Sequence, residues 1–447
     1  MMILKRFMEK NRLSRMILYL TFCLAVFYPF KGFISLMLSL LVGQNCSWLI
    51  NPLFFFFLFG FVVLNMIAHN IVLSSTADKL LLFAGVVGLA FGTAKGDYAL
   101  LYKTFLLFFL PVLLGSLHRI DGRFFYRTVF MFIAASTIYM LLENIILHPG
   151  MYGLSFKALS YEQLSAYTNY LIWSRIDASL LLVDYRHVGL TNRTGGYLGN
   201  ILAMPVLLAM GATFFYVSTR ESFRVSGLVF TVISVHLLIM SQSTTAIVAF
   251  VITVLFYELW VRRNICSLIW LTGAMIALIS FKVGGYVYER FLANMRDPQY
   301  VHAFLGYSVL LKPGNLLYLV FGKWSSMLPE GGGTHSDLIN IVVSYGGVIA
   351  FLLYKRLLAP LVVLRRVPDP TGRIYALMVL TAFICLLHAS ATMNVNVMIL
   401  VTLLYLKASA RGRIFGCPKP DRLCIFRSNR PPIPEHSGHL FQSKSAT

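Results

Sequence analysis

Charged residues are scarce in this chain. They make up 12% of its 447 residues, with only 17 acidic ones, where a soluble domain carries roughly 25%. Beside 58% hydrophobic residues and a mean hydropathy of +0.75, this shortage excludes an ordinary soluble globular protein. Cysteine is rare too. The six present (Cys23, Cys46, Cys266, Cys385, Cys417 and Cys424) form no Cys-x-x-Cys pair, so neither a zinc knuckle nor a disulfide framework is supported. The sequence has no Gly-rich phosphate loop ending in Gly-Lys-Ser/Thr, no His-Glu-x-x-His and no metal-spaced acidic set. ATP hydrolysis and metalloprotease chemistry therefore have no support.

What is plentiful is apolar sequence, in runs of about 15 to 25 residues broken by short clusters of Lys, Arg, Gly and Pro, the pattern of helices that cross a bilayer. These runs predict an all-α polytopic membrane protein with about twelve transmembrane helices and two long outer loops. The spans fall near 14–35, 53–70, 79–94, 99–117, 124–147, 195–218, 225–241, 243–260, 264–281, 336–354, 373–390 and 393–407. Pro29 and Lys31 interrupt the stretch from Tyr28 to Gly43, which reads as a span end followed by an interfacial segment. Residues 1–407 form a single transmembrane domain, and residues 408–447, rich in Pro, Ser and Arg, read as a disordered basic cytoplasmic tail.

The net charge of +21 has a topological explanation. With both termini inside, the inner segments hold 26 of the 38 Lys and Arg residues, as the positive-inside rule requires. Binding to nucleic acid is then not needed to account for the basic balance. Lys5, Arg6, Lys10, Arg12 and Arg15 are expected to lead into a retained first span, since no small-residue cleavage site follows them.

Only two outer segments are long, residues 148–194 and 282–335, and loops of such length are uncommon unless functional. Together they hold 9 of the 12 outer Lys and Arg residues. Their arginines, among them Arg193, Arg290 and Arg296, are candidates for an anionic substrate, because a guanidinium grips phosphate oxygens bidentately and stays charged without a metal. The alternative is that they sit at headgroup level and hold lipid phosphates. His335 follows Gly331-Gly332-Gly333-Thr334 and opens a span. An imidazole there is placed for proton transfer, unless His335 or Ser336 simply caps the helix. His236 and Glu143 lie within spans and mark either a polar interior or hydrogen-bonded core positions. Gly195-Gly196-x-x-Gly199 suits close helix packing.

The pattern resembles the bacterial O-antigen polymerase and O-antigen ligase superfamily, polytopic glycosyltransferases that use sugar chains on undecaprenyl diphosphate. The residues that carry the likeness are Arg186-His187-Val188-Gly189-Leu190-Thr191-Asn192-Arg193, Ser241-Gln242-Ser243-Thr244-Thr245-Ala246, Arg296, Tyr300 to Leu311, Phe321-Gly322, His335-Ser336-Asp337-Leu338-Ile339 and Gly346-Gly347. Gln242 stands where the family often has arginine, and Arg290 competes with Arg296 for the loop position. The resemblance implies an enzyme, a metal-independent surface-polysaccharide polymerase with no cofactor, in the bacterial inner membrane with periplasmic loops. It implies His335 as catalytic base and Arg193, Arg290 and Arg296 as diphosphate ligands. The implied partners are the undecaprenyl-diphosphate-linked oligosaccharide, membrane lipids, a chain-length regulator and a flippase, and no nucleic acid. The ligase that transfers the finished chain to lipid A-core is the nearest alternative, and a flippase for the lipid-linked sugar is one of a different class. Against the flippase stand the cations gathered in outer loops and the want of an evident internal repeat.

Overall fold

The computed structural model describes residues 76–114, 122–147, 152–155, 203–222, 225–241, 243–264, 316–325, 336–364, 370–387 and most of 397–407, with isolated positions between 19 and 63 and at 269. Most of the expected spans 14–35, 53–70 and 264–281, most of both long segments and the tail lie outside the described residues. Every regular element among the described residues is helical. Two helical stretches, Gly122–Leu142 and Thr245–Arg262, are long and apolar enough to cross a membrane by length and composition. The expected twelve spans are thus not reached among the described residues.

In chain order the helices are α1 (Thr76–Lys95), α2 (Tyr98–Thr104), α3 (Leu110–Leu113), α4 (Gly122–Leu147), α5 (Ala203–Ser222), α6 (Val225–Met240), α7 (Thr244–Phe256), α8 (Leu316–Phe321), α9 (Asp337–Tyr345), α10 (Gly347–Val363) and α11 (Pro370–Leu386). A π-helical turn (Phe105–Phe109) joins α2 to α3. Pro111 has no N–H to give back to the preceding turn, and the ladder widens ahead of it so that Leu110 N–H reaches Phe105 O. A second π-helical turn (Tyr257–Arg262) extends α7. α1 stops at Gly96, whose φ of +63° lets Asp97 N–H return to Gly92 O at 2.8 Å. Asp97 then caps α2 by accepting from Leu100 N–H at 3.0 Å.

α5 is the centre of the bundle, packed on α4, α6, α7 and α11. Up to Val217 its sequence is apolar except for Thr213, and Ala209, Met210, Ala212, Phe214, Phe215 and Val217 are fully buried. Gly211 admits α4, since a Cβ there would meet Ile133 Cγ2 at 3.0 Å. Where α5, α7 and α11 meet, three buried threonines are linked: Thr213 lies 2.9 Å from Thr381, which donates to Thr253 at 3.0 Å. By contrast, α6 leaves Val225, Leu228, Val229 and Val232 exposed, an uncovered apolar stripe at helical spacing. α1 leaves Leu80, Phe83 and Val86 exposed in the same manner.

One end of the bundle is tied by charge. Glu258 is 2% exposed and accepts from Arg220 Nε at 2.9 Å and from Tyr216 at 3.0 Å. Glu221 accepts from Tyr257 at 2.9 Å and from Arg373 at 3.0 Å, while Arg262 donates to the Arg220 carbonyl at 2.9 Å. The hydrogen bond to Glu258 raises the pKa of Arg220. Segments that the charge balance placed on one side thus meet at one end. Glu258→Ala is expected to lower the unfolding free energy by about 2–3 kcal/mol, less than for a fully enclosed pair because water reaches the arginine. Denaturant unfolding of the purified chain checks it, and a change below about 0.5 kcal/mol would mean that the pair is idle.

Candidate functional site

At the opposite end, α1, α2, α8, α9 and α11 converge. The contact begins with two glycines. Gly322 ends α8 with φ +75°, and Gly346 breaks the chain between α9 and α10 with φ +87°. A Cβ on Gly322 would sit 2.6 Å from Gly346 N, and one on Gly346 would strike Val320 O. The span expected as one helix over 336–354 is therefore two, because the backbone of α8 occupies the space at the break. The Phe-Gly turn and the Gly-Gly pair noted separately in the sequence press directly on each other.

From Gly322 the chain lies against the last turn of α9. Lys323 N–H donates to Val343 O at 2.6 Å and Trp324 N–H to Ser344 O at 2.9 Å. Lys95, at the end of α1, donates to the carbonyls of Lys323 and Trp324 at 3.1 and 3.0 Å. Trp324 has a positive φ of 51° and stacks on Phe91 with ring centroids 5.7 Å apart. Ser325 donates to Asp97 at 3.4 Å, and its carbonyl accepts from Ser344 at 3.0 Å. Beneath this turn Thr104 and Tyr345 share a buried hydrogen bond of 2.9 Å.

Ionisable groups lie deeper. Lys103 is 4% exposed and Asp337 1% exposed. Ser336 caps α9, its Oγ accepting from Ile339 N–H and donating to Leu387 O at 2.7 Å. The capping role that the sequence left open between His335 and Ser336 belongs to Ser336.

His335, Arg193, Arg290 and Arg296 lie outside the described residues, as do Gln242 and the Gly195-Gly196-x-x-Gly199 run. His335 immediately precedes the cap of α9. Lys95, Asp97, Lys103 and Asp337 join the candidate site; the sequence reading used the two lysines only for charge balance. Lys103 in the midst of an apolar run was the available signal. His236 proves to be a hydrogen-bonded helix residue, with Nε2 3.1 Å from Tyr152 Oη, which donates to Asn144 at 2.7 Å. Ser241 is buried and donates to Leu238 O at 2.7 Å, while Ser243 caps α7. Among the described residues no group of three or more His, Cys, Asp or Glu side chains comes together to hold a metal ion.

No family model, no curated protein and no solved structure matches the chain.

Proposed function

We propose that the chain is a membrane-embedded glycosyltransferase that joins undecaprenyl-diphosphate-linked repeat units, an O-antigen polymerase of the periplasmic face. The observation that carries the reading is the polar lining of the two ends of α9: Ser336 and the buried Asp337 at the start that His335 precedes, and Lys95, Asp97 and Ser325 beside its last turn at Val343 and Ser344. This is the end of the bundle that the basic residues assign to the outside, opposite Arg220, Arg262 and Arg373. The uncovered apolar stripes of α1 and α6 support embedding in lipid.

In this reading a hydroxyl of one lipid-linked repeat unit attacks the anomeric carbon of the sugar at the reducing end of another chain. The new glycosidic bond forms as the bond from that carbon to the diphosphate oxygen breaks. His335 takes the hydroxyl proton. The electron pair leaves with undecaprenyl diphosphate, whose charge Arg193 and Arg290 or Arg296 hold. No cofactor is invoked.

Deletion of the gene tests this. A polymerase mutant is expected to make lipopolysaccharide with core plus one repeat unit and no ladder on a gel, restored by the intact gene. Bare core with polymer accumulating on undecaprenyl diphosphate would instead identify the ligase. Absence of lipid-linked repeat units from the outer face would identify a flippase.

A further inference from the structure

The ends of α4, α5 and α6 on the Arg220 side leave a cavity of ≈ 260 Å³. Its polar lining is Tyr126 and Arg127 from α4, Ser218 and Ser222 from α5, and Ser226 from α6. Phe130, Met131 and Phe215 form an apolar wall beside them. Three of the hydroxyls are already engaged, since Tyr126 donates to Ser218 Oγ at 3.2 Å and Ser222 donates to Ser218 O at 2.7 Å. Arg127 and Ser226 are exposed, and no hydrogen bond or ion pair occupies either of them among the described residues. Arg127 thereby differs from Arg220 and Arg373, which are held by Glu258 and Glu221.

We infer that this cavity binds the phosphodiester of an anionic glycerophospholipid in the inner leaflet. The inference rests on the membrane-embedded reading above and not on its enzymology. Arg127 supplies a planar fork for two phosphate oxygens, and Ser226 supplies a hydroxyl donor on the facing helix. A volume of ≈ 260 Å³ suits a headgroup with the root of its chains, not a whole lipid. The rest has somewhere to go: Met131 belongs both to the cavity wall and to the exposed apolar surface, which continues along α4 at Ile138 and along α6 at Leu228 and Val229. A cationic notch opening onto an apolar helix face at the interface has the form of a lipid site. A soluble anion would use the notch and leave the apolar wall idle.

Native mass spectrometry of the full chain in mild detergent tests this, with dioleoyl phosphatidylglycerol, dioleoyl phosphatidylcholine and inorganic phosphate as separate probes. Phosphatidylglycerol should bind in preference to the other two. Arg127→Ala should weaken its binding about tenfold, the loss of a charged hydrogen bond. Ser226→Phe, which fills the notch and leaves the arginine, should weaken it as well, while Arg123→Ala, outside the lining, should not. Equal binding of phosphatidylcholine, equal retention by Arg127→Ala, or uptake of inorganic phosphate without the lipid would each overturn the proposal. Extraction of membranes with alkaline carbonate separates the two readings. A chain that stays in the pellet yet shows no lipid preference keeps the membrane reading and loses this site. Release into the supernatant removes both.

Discussion

His335→Ala is expected to abolish chain extension in a protein still present at its normal level. General-base assistance is worth about 10²–10⁴ in rate, enough to erase a ladder that depends on repeated turnover. The structure removes the main competing explanation, because Ser336 already caps α9 and donates to Leu387 O. Loss of a cap therefore belongs to Ser336→Ala, which should lower stability by about 1 kcal/mol and leave ladder length intact. Arg296→Lys should also be impaired, since a lysine keeps the charge and loses the planar fork. Lipopolysaccharide gels, read beside immunoblots of membrane fractions, give both quantities. A full ladder from His335→Ala would remove the histidine as the base.

Gly346→Ala is expected to be the most damaging of the small substitutions. Its φ of +87° lies outside the common range for residues with a Cβ, which alone costs about 1–3 kcal/mol. The added carbon would also strike Val320 O and approach Phe321 C to 2.8 Å, and these are backbone atoms that no rotamer change moves aside. The sum should exceed about 4 kcal/mol, in the range reserved for a few severe mechanisms. Gly96→Ala is the control. Its φ of +63° is also positive, but nothing lies within 4 Å of its Cβ position, so only the conformational part remains, about 1–2 kcal/mol. Thermal unfolding of the purified variants in detergent measures the pair. Equal losses would mean that α8 and the α9–α10 break do not touch.

The helices most legible in the sequence were those whose apolar runs end at charge or at a capping residue. α4, α6 and α7 begin and end within a few residues of the spans read from hydropathy, because Arg123, Arg224, Ser243 and Arg262 punctuate them. α5 runs on to Ser222, past the expected end at 218. Thr219 and Ser222 satisfy their hydroxyls on carbonyls of their own helix, and Arg220 has Glu258 to meet, so polar residues prolong the helix where hydropathy alone would stop it. The break at Gly346 was hidden, since two adjacent glycines are equally compatible with close packing along a continuous helix; only the left-handed φ decides. The site was least legible. Lys95 and the carbonyl of Lys323 are 228 residues apart in sequence, and no local spacing announces such a pair. Short motifs showed where α9 starts, but the neighbours that α1 and α2 bring to it depend on how apolar faces pack.

The threonine trio at the meeting of α5, α7 and α11 has a consequence for how the bundle keeps its alignment. Apolar ridges and grooves look much the same after a shift of one helical turn, about 5.4 Å along the axis. Surrounded by leucine, valine and phenylalanine alone, α11 could settle at more than one height. Thr381 faces Thr213 on one side and Thr253 on the other, and all three are completely buried. Sliding any of these helices by a turn would break the hydroxyl-to-hydroxyl contacts, leaving Thr253 and Thr381 only the carbonyls of Ala249 and Leu377 on their own helices, at 2.8 and 3.0 Å, and Thr213 without its hydroxyl partner. The trio acts as a vernier that favours one setting. That setting also holds the Leu387 carbonyl, at the far end of α11, level with Ser336, so a hydroxyl contact deep in the core fixes the height at which α9 begins.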